Sequence, residues 1–282
     1  MSKARFPIEQ VDPPRSPKET LPTMYDLPSE DPEEAGLPDE YHLWQCELCS
    51  ATFCPPTYSP DQVFVASDLN LYYDSQHTGW YKRPDWFAVV GGSRFYAGEE
   101  LRLSYVIWQE EIRPIVAIEL LSPSTRNEDL GLSKRKGKQP TKWEVYEQVL
   151  GIPYYVVFDG NTDELHGFEL EGDRYLKMEL PENKVWIPSV ELGLGLWQGE
   201  YRGKKRQWLR WYDAQGNWIP TIAEKERHEK QLAQARAELA QAKAQKEQQE
   251  KELAQATAEL AQARAERLAE RLRQAGIDPE QV

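Results

Sequence analysis

A chain of 282 residues with a net charge of −13 has room for one globular domain of roughly 200 residues and an appendage. It has no run of about 18 apolar residues and no secretory leader, so the sequence predicts a cytoplasmic protein with no membrane span. Three cysteines, all between positions 46 and 54, do not make a disulfide scaffold and fit a reducing compartment. The charge is uneven. Thr221 to Ala275 holds eleven Lys and Arg against ten Asp and Glu, so nearly all the acidic excess falls on the first 220 residues. Such a body is not that of a protein that coats nucleic acid, because phosphate contacts need local positive charge. It leaves room for an enzyme whose few basic residues sit at the site.

In chain order, residues 1–40 are rich in proline and acid and read as an extended lead-in. The globular domain is expected over 41–220. It opens with a short helix from about Glu40 to Ser50, on which Tyr41, Leu43, Trp44 and Leu48 can share a face. Strand material follows as QVFVAS at 62–67, LNLYY at 69–73, WFAVV at 86–90 and LRLSYVIW at 101–108. The run PIVAIELL at 114–121 is nearly all apolar, as a central strand buried on both faces must be. A helix from about Thr141 to Leu150 presents Trp143, Val145, Tyr146, Val149 and Leu150 inward, and Gly151 ends it. IPYYVVFD at 152–159 is a second buried strand. Five shorter strands alternate with turns as far as residue 220. This order implies an α/β (α+β) fold with a central mixed sheet flanked by helices. The ten tryptophans and fourteen tyrosines supply ample core.

Residues 221–275 are a different kind of sequence. Leu232, Leu239, Leu253 and Leu260 recur at multiples of seven, and Ala235, Ala242, Ala256 and Ala263 follow each by three. LAQARAELAQAK at 232–243 returns as LAQATAELAQAR at 253–264, an internal repeat of three heptads. A seven-residue period of this kind predicts a long coiled-coil helix that joins copies of the chain into a homo-oligomer. Lys246 and Gln249 interrupt the seam midway. Residues 276–282 form a tail after the Gly276 stop.

The chemistry is carried by two carboxylates. Asp85 lies in Arg-Pro-Asp-Trp at 83–86, just before WFAVV, and Glu119 lies inside IVAIELL. An unpaired carboxylate inside an apolar strand costs several kcal/mol of desolvation, so Glu119 needs a metal or a cationic partner. Two acids converging on a divalent cation beside a lysine is the arrangement that hydrolyses a phosphodiester.

The segments RPDWFAVV, IVAIELLSPSTRNEDL and KWEVYEQVLGIPYYVVFD together resemble the Uma-type restriction endonucleases, common in cyanobacteria, of the PD-(D/E)xK nuclease superfamily. The resemblance implies a restriction-endonuclease-like sheet, with Mg²⁺ or Mn²⁺ held by Asp85 and Glu119, and DNA as the partner. The superfamily pattern places a lysine two residues after the acid, where this chain has Leu121. In the Uma-type branch a lysine on the following helix takes that place, and Lys142 is the matching residue. Tyr146, four residues on, shares its helical face. Gln148 on the same helix and Asp68 in SDLNLYYD are secondary candidates; for Asp68 a plain turn is the competing reading. Lys134, Arg135, Lys136 and Lys138, in the loop before that helix, either grip a phosphate backbone or form a solvated loop.

A competing metal pattern is His42, Cys46, Cys49 and Cys54, ligand types suited to zinc; free thiols are the alternative. The GKKR run at 203–206 beside aromatic residues either stacks single strands or makes a polar hairpin end. Two functions are therefore open. One is a Mg²⁺-dependent DNA endonuclease with Asp85, Glu119 and Lys142 as its catalytic group. The other is a catalytically degenerate nuclease fold serving as an interaction scaffold. Geometry separates them, since the first requires Lys142 to reach the carboxylates.

Overall fold

In a computed structural model, residues 39–135 and 137–276 are described, together with Asp12 and Pro13. The lead-in assigned to 1–40 and the tail after Gly276 thus fall almost wholly outside the described residues. The elements are α1 (Glu40–Thr52), β1 (Val63–Ser67), β2 (Leu71–Tyr72), β3 (Tyr81–Lys82), β4 (Trp86–Val90), β5 (Tyr105–Val106), α2 (Ile107–Glu110), β6 (Val116–Leu120), α3 (Arg126–Asp129) and α4 (Lys142–Glu144). Then come β7 (Tyr154–Asp159), β8 (Glu164–Glu171), β9 (Arg174–Lys177), β10 (Lys184–Ile187), β11 (Leu192–Tyr201), β12 (Lys204–Tyr212) and α5 (Ile222–Gln274).

The central sheet is mixed, in the order β1-β4-β6-β7-β8-β9, with only β6 and β7 parallel. Every residue of β6 and β7 is buried, which is why their sequences are apolar without alternation. Alternation reappears in which face each residue serves. Trp86, Ala88, Val116, Ile118, Leu120, Val156 and Phe158 pack on one face, against Cys46 and Cys49 of α1, Phe53 just after it, and Ile187, Leu192, Leu209 and Trp211. The last four belong to a second, antiparallel sheet, β10-β11-β12. Phe87, Val89, Ala117, Leu121, Tyr155 and Val157 pack on the opposite face, against Val145, Tyr146, Leu150 and Tyr175. Gln45 holds α1 in place. Its side-chain amide donates to Leu209 O at 2.7 Å and accepts from Leu209 N at 2.9 Å, so it meets both backbone groups of a residue in β12.

Two expectations are corrected. The run at 101–108 is not one strand: only Tyr105 and Val106 pair, in a small sheet β3-β2-β5, and the chain then turns into α2. Leu101 and Leu103 are exposed while the Arg102 side chain is buried. That guanidinium bonds Glu110 at 2.7 Å, Arg94 O at 2.6 Å and Ser93 O at 2.9 Å, and lies 4.4 Å from the Phe64 ring. Its donors are met inside, so charge does not force it outward.

The helix at 141–150 makes one α-turn and then widens. Over Val145–Val149 the bonds run from i+5 to i, as in Leu150 N to Val145 O at 2.8 Å. The wider turn rotates the sequence relative to an α-helix, so Val149 is exposed and Glu147 is buried. Glu147 accepts from Tyr175 N at 2.8 Å and Trp143 Nε1 at 3.2 Å, which satisfies it there.

Residues 222–282 form a separate unit. Within it, α5 is a single helix of 53 residues with no buried residue. At ~1.5 Å per residue it is about 80 Å long.

Candidate active site

The period of two in β6 decides where its acid points. Ile118 and Leu120 serve the α1 face, so Glu119 faces the other way, toward α4. The antiparallel register pairs Trp86 with Ile118 and Phe87 with Ala117. One rung further sets Asp85 beside Glu119, and Leu120 N donates to Asp85 Oδ2 at 2.6 Å. The Pro-Asp step ends the approach to β4, so Asp85 arrives where the ladder stops and leaves it a free carboxylate edge.

Lys142 opens α4. Thr141 caps the helix, accepting from Glu144 N at 3.2 Å, and this presents Lys142 to the sheet. Its Nζ donates to Glu119 Oε2 at 3.0 Å and to Asp129 Oδ1 at 2.6 Å. Tyr146, one turn later, donates from its hydroxyl to Glu119 Oε1 at 2.8 Å. Leu121, where the superfamily pattern has lysine, is buried in the hydrophobic cluster on this face, so the ammonium comes from the helix instead.

Charge does not balance within this group. Asp85, Glu119 and Asp129 together face the single ammonium of Lys142. Burial pushes the Glu119 carboxyl well above the ordinary range, against the pull of Lys142. Burial likewise raises Asp85, to about 7, opposed by Lys142 and the Leu120 amide and reinforced by Asp129 and Asp68. Burial pulls Lys142 down, but Glu119, Asp129 and Asp85 more than offset this and hold its pKa well above that of an ordinary lysine. One buried oxygen, Asp129 Oδ2, has no hydrogen-bond partner. Three carboxyl groups beside one ammonium leave positive charge wanting, and a divalent cation would supply it. The donor set fits such an ion.

On the outer side of Asp85 lie two more groups. His42 Nε2 stands 3.7 Å from Asp85 Oδ1 and 3.5 Å from Asp68 Oδ2. Among the described residues, these three side chains are a group able to hold a metal, with their ligand atoms within 4.8 Å of one another. Asp68 takes a left-handed backbone, φ 51°, with its N–H directed to Pro84 O and Asp85 O at 3.2 and 3.3 Å. This turn carries it alongside Asp85.

The other predicted residues are scattered. Gln148 is exposed and donates to Glu147 at 3.1 Å, so it does not join the cluster. Lys134 and Lys138 are exposed; Lys134 lines a depression beside Lys82, Glu128 and Thr141. Arg135 pairs with Glu144 at 3.0 Å, and Lys136 lies outside the described residues. The zinc pattern does not assemble. His42 turns to the aspartates, Cys54 is exposed, and Cys46 and Cys49 are buried thiols. Burial raises both, Cys49 to about 12, and Cys46 donates to Asp85 O at 3.2 Å. In the GKKR run, Arg206 lies over the Tyr41 ring at 3.8 Å. Asp129 and His42 escape a sequence reading of this site. Asp129 ends the short helix α3 in a polar stretch of sequence, where nothing marks it for burial. His42 stands out in the sequence only as part of a cysteine pattern, and the face of its helix cannot be oriented toward the aspartates without the sheet.

A mixed sheet whose central strand buries a glutamate against a helical lysine, with an aspartate on the adjoining strand, defines a restriction-endonuclease-like α/β protein. The family described as "Uma2: Putative restriction endonuclease" matches residues 19–202, and the chain belongs to it. No curated protein matches. The crystal structure described as a putative nuclease belonging to DUF820, from Anabaena variabilis ATCC 29413, is similar to 56% of this chain over 77% of its own. The identity is 14% and the TM-score 0.37. Among the described residues, no helix is long and apolar enough to cross a membrane.

Proposed function

We propose that the chain is a divalent-cation-dependent endonuclease that hydrolyses DNA phosphodiesters, with Asp85, Glu119 and Lys142 as its catalytic group. The observation that carries this reading is the contact of the Lys142 ammonium with Glu119 at 3.0 Å, in a cluster where three carboxyl groups share one cation. Asp85 and Glu119 would hold Mg²⁺ or Mn²⁺. When bound, the ion lowers the pKa of a coordinated water and offsets phosphate charge. Glu119 keeps acceptor capacity beyond the two bonds it makes, since an ionised carboxylate offers about four lone pairs. Asp85 is held in place by the Leu120 amide. Lys142, kept protonated by its neighbours, aims an ammonium at the charge that grows on the phosphate oxygens. Exposed Lys134 and Lys138 contribute backbone contacts along the acidic domain. The leucines of α5, among them Leu239 and Leu253 at 73% and 70% exposed, form the seam through which copies associate.

A second reading has its own support. Both oxygens of Glu119 accept from protein donors, Lys142 and Tyr146, so the acid is satisfied without an ion. A degenerate nuclease fold acting as a coiled-coil scaffold would look like this. Plasmid cleavage by the purified chain with Mg²⁺ or Mn²⁺, beside Glu119→Ala, decides between them. The enzyme reading expects cleavage that falls by a factor of about 10²–10⁴ in the variant. Equal rates in both proteins would defeat it.

A further inference from the structure

The reading above gives His42 no task, yet its surroundings are unusual. Its Nε2 atom is buried and lacks a hydrogen-bond partner. Buried ring nitrogens are ordinarily bonded. The facing oxygens of Asp68 and Asp85, at 3.5 and 3.7 Å, are too distant to accept a hydrogen bond. Such spacing is instead near that of atoms sharing one ion. Ligands about 2.0–2.2 Å from a metal stand roughly 3–3.6 Å apart at octahedral or tetrahedral angles.

Each of the three groups is set by a separate part of the fold. His42 lies in the first turn of α1, where its own N–H is capped by Asp39 at 2.7 Å and Gln45 ties the helix to β12. Asp68 is turned inward by its left-handed backbone, and Asp85 is fixed by Leu120 N. Cys46, one turn beyond His42, is kept a thiol by burial and spends its proton on Asp85 O. The donors offered to an ion are therefore one imidazole nitrogen and carboxylate oxygens.

The geometry points to His42 as an imidazole ligand that, with Asp68 and Asp85, holds the cation of this site and makes it prefer Mn²⁺ to Mg²⁺. This rests on the proposed cation-dependent reading and specifies its ligand set. Mg²⁺ favours oxygen donors and gives up water reluctantly, whereas imidazole suits transition ions. The ring nitrogen Nε2 offers the lone pair.

The test is calorimetric titration of the full chain with MnCl₂ and with MgCl₂, for the wild type, His42→Gln and Asp68→Asn. Pulsed electron paramagnetic resonance of the bound Mn²⁺ accompanies it. The wild type is expected to bind Mn²⁺ at least about tenfold more tightly than Mg²⁺. His42→Gln should weaken Mn²⁺ by about 10–100-fold and Mg²⁺ by less than about threefold. Nitrogen hyperfine coupling from a directly bound imidazole should appear in the wild type and vanish in His42→Gln. Absence of that coupling in the wild type overturns the inference, as does an unchanged preference in a folded His42→Gln protein. If His42→Gln does not fold, the wild-type coupling and the Mn²⁺ affinity of Asp68→Asn decide; loss of affinity supports the site and retention overturns it. The two readings fail separately. DNA cleavage that needs Glu119 but shows no nitrogen coupling removes His42 alone. Nitrogen coupling without cleavage removes the nuclease and leaves the cation site standing.

Discussion

The two faces of the central sheet are built from the same kinds of aliphatic and aromatic residues, yet only one of them holds charge. On the α1 face, Trp86, Ile118 and Phe158 cluster with Ile187, Leu209 and Trp211, and the buried Gln45 amide and Trp86 indole N–H among them are neutral and hydrogen-bonded. On the α4 face, the equivalent depth holds Glu119, Asp129 and the Lys142 ammonium. Burying charge is costly and its mutual attraction seldom more than repays it, so a core built for stability alone would use the first solution twice. The second face spends stability on three carboxyl groups and one cation. Buried titratable groups of this kind concentrate at functional sites, which is why the proposed catalytic group is placed here.

The contrast can be broken most severely at Lys142. Lys142→Met removes the one cation from the buried acids and should lower DNA cleavage by about 10³-fold, roughly 4 kcal/mol of transition-state stabilisation. Single-turnover cleavage at saturating Mn²⁺ measures it; a loss below about fivefold would make the lysine structural. The apolar face should respond in the opposite way. Ile187→Ala, fully buried on β10, is expected to cost about 3 kcal/mol and to lower Tm by roughly 6–12 °C, with cleavage per folded molecule unchanged. Thermal melts and active-site-normalised rates check both halves of that statement.

A smaller effect lies at the helix that borders the site. Gln45→Ala leaves Leu209 N and O without their side-chain partner and should cost about 2 kcal/mol. Urea unfolding reports it, and an unchanged midpoint would mean that water replaces the amide. The smallest change in domain stability is expected in α5. Leu239→Ser with Leu253→Ser should alter the melting of the globular domain by less than about 0.5 kcal/mol, since neither residue is buried in the single chain. The same pair should abolish self-association in analytical ultracentrifugation; a wild type that sediments as a monomer would remove the oligomer from the account.

Much of this protein was legible in its residues. The apolar runs at 114–121 and 152–159 had to be central strands, because no half-solvated strand tolerates them. Glu119 declared itself by standing inside one, whereas Lys142 was marked only by the resemblance to the Uma-type nucleases, whose helical lysine it matches. The heptads of 232–264 predicted a long helix, and α5 is one. Errors arose where a side chain found partners that the local pattern cannot show. Arg102 goes inward because Glu110 and two carbonyls receive it, and the leucines beside it go out. Glu147 replaces Val149 because the helix widens to i+5 bonds and Tyr175 N and Trp143 Nε1 await its carboxylate.

The sequence by itself determined the central strands, the long C-terminal helix and the odd position of Glu119, because hydrophobic periodicity and the cost of a buried carboxylate are properties of neighbouring residues. Only the tertiary structure decided what surrounds those acids. Asp129 reaches Lys142 from the end of α3, thirteen residues earlier, and His42 reaches Asp85 from a helix held by Gln45 against a strand more than 160 residues away. Ligand geometry depends on the register of strands and the seating of a helix, and those are fixed by packing across the whole domain.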